Sequence, residues 1–327
     1  MNKETFELRK KFLENAKIDL QNPNMDKIIA LIKKAVREDN KKLLSYKSIC
    51  SIGAENTGAK VNKAQYEKLL ENIYKYWWDN AVIPQYESLS TKDKKYYGEK
   101  LVKNEDYIPT SKNRIESIHE LLGEFEDTLT MGLLGPTYFQ GKHFCVFYTN
   151  TLSLERKKFS RDIDLRVYLH IKIKNAVKLA HKLIKAALLT NTPLTLKMGL
   201  SDSRNDNFIL YTNYKELDST IALIEQVRGK YPELFVGCKV NNPMMAKYKG
   251  YMGLGEEPYS WGSYNSVRVD SLQKCYKLLN KEYKKDKTIL TNEKIYETLK
   301  EVCKENKIDI EHFSLNDLTW WLEKENE

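Results

Sequence analysis

The spacing of apolar residues changes near Gly132 and divides the chain into two parts that differ in secondary structure. Before that point, apolar side chains recur at helical spacing, as in residues 25–37, 66–78 and 115–130. After it, residues 166–173 alternate polar and apolar side chains, which is typical of a half-buried strand. The sequence therefore predicts an α+β fold with a helical N-terminal region, residues 1–140. Residues 141–327 are predicted to form a mixed sheet flanked by helices, followed by C-terminal helices.

Charge and cysteine content exclude several classes of protein. The 327 residues include 54 Lys and Arg against 45 Asp and Glu, a net charge of +9 that favours an anionic partner. No segment approaches the ~18–20 consecutive apolar residues of a membrane span, so no membrane partner is expected. The N-terminus has no apolar h-region, so we expect no secretory signal, and the five cysteines are widely spaced without CxxC pairs. We therefore expect a cytoplasmic protein with reduced thiols and no metal site.

Two lysines interrupt predicted apolar strands. Lys197 lies in residues 194–198 and Lys239 in residues 235–240. A buried ammonium group is costly unless it is paired, although an edge-strand or snorkelling lysine is an alternative explanation. With Arg166 on a neighbouring strand, these lysines are predicted to form a cationic patch.

Two polar segments add candidate residues. In residues 199–206, Arg204 either pairs with Asp206 or contacts an anion. Residues 253–268 are predicted to form a glycine-rich, aromatic loop that opens onto a helix, where backbone amides near Ser263 suit an anion and Arg268 suits a phosphate. A packed surface loop is the alternative. Neither GxGxxG nor a P-loop is present, and no cofactor is expected.

Seven short motifs occur in order between residues 166 and 279. In this order they resemble the HopA-type type III effector family. They are Arg166-Val167-Tyr168, Leu196-Lys197 before Ser201-Asp202, Arg204-x-Asp206 leading to Tyr211, Tyr231-Pro232-Glu233-Leu234, Lys239 before Pro243, Gly253-Leu254-Gly255-Glu256-Glu257-Pro258, and Gly262-Ser263-Tyr264 followed by Arg268.

That family includes effectors secreted by plant pathogens by a route without a signal peptide. It also includes the lyase components of class V lanthipeptide and thioviridamide-like dehydratases. The resemblance implies a phosphoserine or phosphothreonine lyase, which eliminates phosphate from a phosphorylated precursor peptide to give a dehydroamino acid. The implied partners are that peptide and a kinase-like protein.

Phosphate elimination places clear demands on a site. A base with a pKa near neutrality must remove the weakly acidic Cα proton, and cations must stabilise the leaving phosphate. We expect Lys197 to be the base, with Lys239 as the second choice. The other expected site residues are Arg166, Arg204 and Arg268 for phosphate, Tyr168, His170 or Tyr211 as proton donor, and a substrate loop with Glu256, Glu257, Trp261, Ser263 and Tyr264.

Two other functions stay open from the sequence. The first is a non-catalytic effector or interaction protein that binds a host or partner protein. The second is a nucleic-acid-binding protein, suggested by the net charge and by 21 tyrosines. No RNP motif, zinc finger or arginine-rich run supports it, so nucleic acid is a disfavoured partner. The lyase is favoured if five cations converge in the folded chain, whereas the interaction protein is favoured if they pair with acidic side chains. These cations are Arg166, Lys197, Arg204, Lys239 and Arg268.

Overall fold

A computed structural model of the chain describes residues 3–15, 25–62, 64–65, 68–69, 71–72, 137–140, 144–149, 164–190, 192–258 and 263–318. Its helices are α1 (Lys3–Asn15), α2 (Met25–Arg37), α3 (Tyr46–Cys50), α4 (Ile173–Thr190), α5 (Leu217–Lys230), α6 (Tyr264–Tyr283) and α7 (Asn292–Glu305). Its strands are β1 (Thr137–Gln140), β2 (Phe144–Thr149), β3 (Leu165–Leu169), β4 (Leu194–Gly199), β5 (Phe208–Thr212), β6 (Ala246–Tyr248) and β7 (Met252–Glu256).

The strands form one sheet in the order β1-β2-β4-β5-β3-β7-β6. Each pair of neighbours is antiparallel. The α+β class with N-terminal and C-terminal helices is confirmed, but the expected mixed sheet is wrong among the described strands. Short connections such as Lys249 to Tyr251 between β6 and β7 reverse the chain directly, and a hairpin of this kind forces antiparallel pairing.

One face of the sheet packs against α4 and α5. Alternate residues of the central strands point to this face, and α4 presents its own apolar stripe to them. Burying one such side chain contributes about 1.5–3 kcal/mol relative to exposing it. This first core includes Val167, Leu169, Leu196, Leu210, Leu183 and Ile224.

The loop predicted over residues 253–268 is wrong in its first part, because residues 253–256 lie in β7 of the β6–β7 hairpin. Gly253 and Gly255 lie inside β7, where neighbouring side chains approach the backbone closely. A Cβ added at Gly255 would lie 2.3 Å from the Tyr264 ring, and one at Gly253 would lie 3.2 Å from the Met245 sulfur. These glycines therefore serve packing across the sheet and do not form a turn.

The predicted strand at residues 235–240 is also wrong. Pro232–Phe235 is a short 3-10 helix, and residues 236–243 form no strand. Gly237 has a φ of +80°, which a continuous strand does not accommodate. Lys239 is exposed in this irregular segment and does not stand beside Lys197 in the sheet.

A second core joins helices from both ends of the chain. Apolar side chains of α2 pack with those of α6 and α7. Ser263 caps α6, which spans the predicted residues. The boundary between residues 140 and 141 stays a prediction, as does cytoplasmic localisation. The predicted helix at 115–130 and most of that at 66–78 lie outside the described residues. Within the described part of the chain, no helix has the length and apolarity needed to cross a membrane.

Candidate functional site

The face of the sheet opposite α4 and α5 carries the polar residues of the central strands. Directly paired residues on neighbouring strands share a face. Lys197 on β4 pairs with Ile209 on β5, and Ile209 pairs with Tyr168 on β3. In the next row, Tyr211 on β5 pairs with Arg166 on β3. The antiparallel register therefore brings Arg166, Tyr168, Lys197 and Tyr211 to one surface.

Lys197 is a partly buried lysine in the centre of this surface. Its Nζ lies 4.0 Å from the centroid of the Phe144 ring. No salt bridge joins it to a carboxylate of the described residues. Burial, together with the positive charges of Arg166 and Arg204, lowers its pKa from 10.5 to about 8. Lys197 therefore has the perturbed ammonium group that a lysine base requires.

Arg166 on β3 is 8% exposed and shares this surface with Lys197, but β5 lies between their two strands, which are not neighbours as expected. Its Nε and Nη2 donate hydrogen bonds to the two carboxylate oxygens of Glu257, which follows β7. Its guanidinium also lies 5.0 Å from the centroid of the Tyr211 ring. Glu257, expected in a substrate loop, thus holds a guanidinium that was expected to bind phosphate. Bidentate pairing fixes the orientation of the guanidinium plane.

Arg204 is held in the same way by Asp206. Arg204 Nε donates to Asp206 Oδ1 at 2.6 Å, and Nη2 donates to Asp206 Oδ2 and to the Tyr46 hydroxyl. Asp206 is 5% exposed and also accepts a 2.7 Å hydrogen bond from Asn265 Nδ2 on α6. The Cys50 thiol donates to the same carboxylate at 3.7 Å. Asp206 therefore connects α3 and α6 to the arginine.

Tyr168 and His170 occupy different surroundings. Tyr168 is 2% exposed, and its hydroxyl has no hydrogen-bond partner among the described residues. Burial raises the pKa of that hydroxyl well above 10. His170 is half-buried just beyond β3, with Nδ1 3.3 Å from Asn241 Nδ2, and burial lowers its pKa. Both have the chemistry of proton donors or acceptors, and their roles stay predictions.

Arg268 is committed to the C-terminal segment. It is fully buried, and its Nε and Nη2 donate to the carbonyl oxygens of Phe313 at 2.8 Å and Leu315 at 3.2 Å. Its guanidinium lies 3.8 Å from the centroid of the Tyr264 ring. The sequence predicts a phosphate contact for this residue, about one turn into the helix. Its guanidinium instead joins α6 to residues 313–315.

The expected substrate loop is largely a packed structural element. Glu256 ends β7, is 2% exposed, and accepts hydrogen bonds from Arg9 on α1 and from the Tyr214 hydroxyl. Tyr264 is fully buried, and its hydroxyl donates to the Met244 carbonyl oxygen. These two side chains belong to the core and not to a loop. Ser263 accepts the α6 cap hydrogen bond. Trp261 lies outside the described residues.

Sequence reasoning missed several residues that complete this surface. Phe144 contacts Lys197, Tyr46 contacts Arg204, and Asn265 contacts Asp206. None of them stands out by sequence spacing, since the first two come from distant segments. Asn265 could have been identified as a site residue from its position in the first turn of the helix whose start is expected to bind an anion. An amide there has few roles other than hydrogen bonding across the interface.

Two further properties bear on the chemistry. Within the described residues, no group of three or more His, Cys, Asp or Glu side chains is arranged to hold a metal ion. The thiols of Cys50, Cys238, Cys275 and Cys303 are free. Burial raises the pKa of each of them, which disfavours the reactive thiolate. Lys197 is therefore a better candidate than these cysteines for reactive chemistry.

Comparison with known proteins finds structural similarity at low sequence identity. No protein-family profile matches the chain, and no curated protein matches it. One similar solved structure is an effector protein from Pseudomonas syringae pv. syringae strain 61, with 13% identity, 90% of this chain and 98% of that chain covered, and a TM-score of 0.44. Another is an effector protein from Pseudomonas syringae pv. tomato strain DC3000, with 11% identity, coverages of 88% and 99%, and a TM-score of 0.42.

Proposed function

We propose that the chain is a phosphoserine or phosphothreonine lyase that removes phosphate from a phosphorylated peptide and leaves a dehydroamino acid. The observation that carries this proposal is Lys197, a partly buried lysine without a salt bridge to the described residues and with a pKa of about 8. Two arginines share its surroundings, and both interact with it electrostatically. The kinase-like partner expected from the sequence would supply the phosphorylated residue.

Lys197 has the properties of a general base for this elimination. At pH 7, a lysine with a pKa of about 8 is about 10% neutral, roughly 300 times more than one at 10.5. The neutral amine accepts the Cα proton, the Cα–H electrons form the Cα=Cβ double bond, and the Cβ–O bond breaks. The electron pair of that bond leaves with the phosphate, and the reaction is balanced without an oxidant or reductant.

Arg166 and Arg204 are the proposed phosphate-binding residues. Their hydrogen bonds to described residues use Nε and Nη2, which leaves Nη1 of each guanidinium for a ligand. Glu257 and Asp206 fix the orientation of the two guanidinium groups before substrate binds. Preorganised cations of this kind stabilise charge that develops on a leaving group. Tyr168 is the proposed proton donor to the phosphate, since its buried hydroxyl keeps its proton at neutral pH.

The direct test is incubation of the protein with a phosphothreonine peptide and mass spectrometry of the product. Elimination lowers the peptide mass by one phosphoric acid, whereas hydrolysis removes only the phosphoryl group and keeps the hydroxyl. We expect elimination by the wild type and its loss in Lys197→Ala and Lys197→Met. Lys277→Ala is the matched control, because Lys277 is an exposed lysine on α6.

Absence of phosphate loss when the natural kinase partner and precursor peptide are both present would contradict the proposal. Full activity in Arg166→Lys and Arg204→Lys together would overturn only the assignment of the phosphate-binding residues, because lysine cannot reproduce the fixed guanidinium geometry. Full activity of Lys197→Ala would overturn only the assignment of the base and leave the reaction in place.

A specific observation favours a second function, that of a non-catalytic interaction protein. Each of the two arginines already has a carboxylate partner, as expected where cations serve structure. In that case the polar face of the sheet binds a partner protein without chemistry. Binding of a phosphothreonine peptide without elimination, weakened by Arg204→Lys, would support this function over the lyase.

A further inference from the structure

A basic cleft lies on the other side of the sheet from Lys197. Its lining includes three lysines and a histidine, and its volume is about 240 Å³. Because α4 packs on the sheet face opposite Lys197, the cleft is separate from the proposed lyase site. No acidic side chain of the described residues lines it. The residues that matter are Lys68, Leu69, Lys174, Val177, Lys178 and His181.

The cleft continues into a lysine face along α4. The helix has basic residues at positions 174, 178, 181, 182 and 185 and contains no Asp or Glu. At 100° per residue, these positions fall within about 100° of arc, opposite the buried stripe. Like charges at i,i+4 repel one another on a helix. The lysine face of α4 therefore bears repulsion that an anionic ligand would relieve.

Internal partners neutralise little of the charge of Lys178 and Lys182. The Lys178 ammonium lies 4.0 Å from the Glu233 carboxylate, and both side chains are more than half exposed. Exposed pairs of this type contribute little. Lys182 instead lies 4.6 Å from the centroid of the Tyr231 ring. Burial lowers the pKa of His181, and the positive charges of Lys182 and Lys185 lower it in the same direction.

We propose that this basic cleft, together with the lysine face of α4 that continues from it, binds an acidic peptide segment of a partner protein. The cleft is smaller than the ~300–1,000 Å³ pockets of ordinary small-molecule ligands and suits a carboxylate side chain. Leu69 and Val177 provide apolar contact for the methylene groups of that side chain. The lysines at 174 and 182 are about 12 Å apart along the helix, which an extended peptide spans with about four residues.

The chemistry of the cleft favours a peptide over a nucleic acid. Sites for single-stranded nucleic acid stack bases on aromatic side chains, and no aromatic residue is among the described residues that line the cleft. The described lining residues also lack arginine, which supplies the bidentate fork for phosphate. Lysines that act as point charges suit the flexible spacing of Asp and Glu side chains. The inference does not depend on the lyase function, because it uses none of the residues near Lys197.

The test is fluorescence anisotropy with a short labelled peptide rich in glutamate and a matched peptide with glutamine in place of glutamate. We expect the full chain to bind only the glutamate peptide, with affinity that falls as salt rises from about 50 to about 200 mM. The double variant Lys174→Gln and Lys178→Gln should bind roughly tenfold more weakly. Both lysines are exposed, so the variant is expected to fold normally.

Matched variants separate this site from the rest of the surface. Lys277→Gln with Lys281→Gln removes the same charge at the same spacing on α6 and should bind as the wild type does. Lys197→Ala should also bind normally, even if it abolishes elimination. Unchanged binding by the α4 double variant, or equal binding of the glutamine peptide, would overturn the proposal. Tighter binding of a single-stranded RNA through the same lysines would overturn the assignment to a peptide.

Discussion

Replacing Lys197 with methionine should stabilise the protein at neutral pH while removing the proposed base. Methionine keeps most of the length of the side chain but carries no charge. The native environment lowers the pKa of Lys197 from 10.5 to about 8, so protonated Lys197 destabilises the folded state by about 3 kcal/mol relative to the unfolded chain. Loss of the contact with Phe144 costs about 0.5–1 kcal/mol, and partial exposure reduces the gain further. We expect a net stabilisation of about 1–2 kcal/mol at pH 7.

The pH dependence of this stabilisation identifies its cause. The folded-state pKa of Lys197 lies below the unfolded value, so the destabilisation is complete below about pH 8. It shrinks between pH 8 and pH 10.5, where the folded state has released the proton, and disappears above 10.5, where the amine is neutral in both states. The advantage of Lys197→Met should therefore be largest at pH 7 and shrink towards pH 10. Urea denaturation followed by circular dichroism at several pH values measures it.

A matched control and a clear contrary result complete this experiment. Lys277→Met replaces an exposed lysine and should change stability by less than about 0.5 kcal/mol at each pH. If Lys197→Met is less stable than the wild type at pH 7, the ammonium group is better accommodated than the structure implies. A gain that stays constant between pH 7 and pH 10 would show that packing, and not charge, is responsible.

Three further substitutions test contacts around this surface. Gly255→Ala should lower the free energy of unfolding by about 1–3 kcal/mol in urea melts, because the added Cβ meets the Tyr264 ring. Gly229→Ala is the control and should not destabilise the protein, because its Cβ would enter open space. Arg9→Met should cost about 3–5 kcal/mol in the same melts by leaving Glu256 without its cation. Asp206→Asn removes a negative charge that raises the pKa of Lys197, so nuclear magnetic resonance titration should find that pKa below about 8; an unchanged value would contradict the electrostatic assignment.

Local patterns predicted the elements that depend on local interactions. The alternation at residues 166–173 correctly indicated a strand, although β3 ends at Leu169. The helix expected to start near Ser263 is α6. The lysine in the middle of β4 was identifiable from the cost of burying its charge. These features were readable because period, capping and charge act within a few residues.

Contacts distant in sequence decided what those patterns left open. Gly253 and Gly255 resemble turn residues, yet they lie in a strand because large side chains from elsewhere approach their backbone. Arg268 is in the helix that the sequence predicted, but its guanidinium binds carbonyl oxygens of residues more than forty positions away. No periodicity contains that information, because it depends on how α6 packs against the C-terminal segment.

The sequence by itself determined the α+β class, the polar and apolar faces of the central strands, and Lys197 as an unusual cation. The tertiary structure decided which charges meet it. Antiparallel pairing brought Arg166 and Lys197 to one surface, and loop packing supplied Glu257 and Asp206 as the partners of two arginines. The physical reason is the sequence separation of the interacting residues. Hydrophobic periodicity involves residues close in sequence, whereas burial and charge pairing depend on residues that only folding brings together.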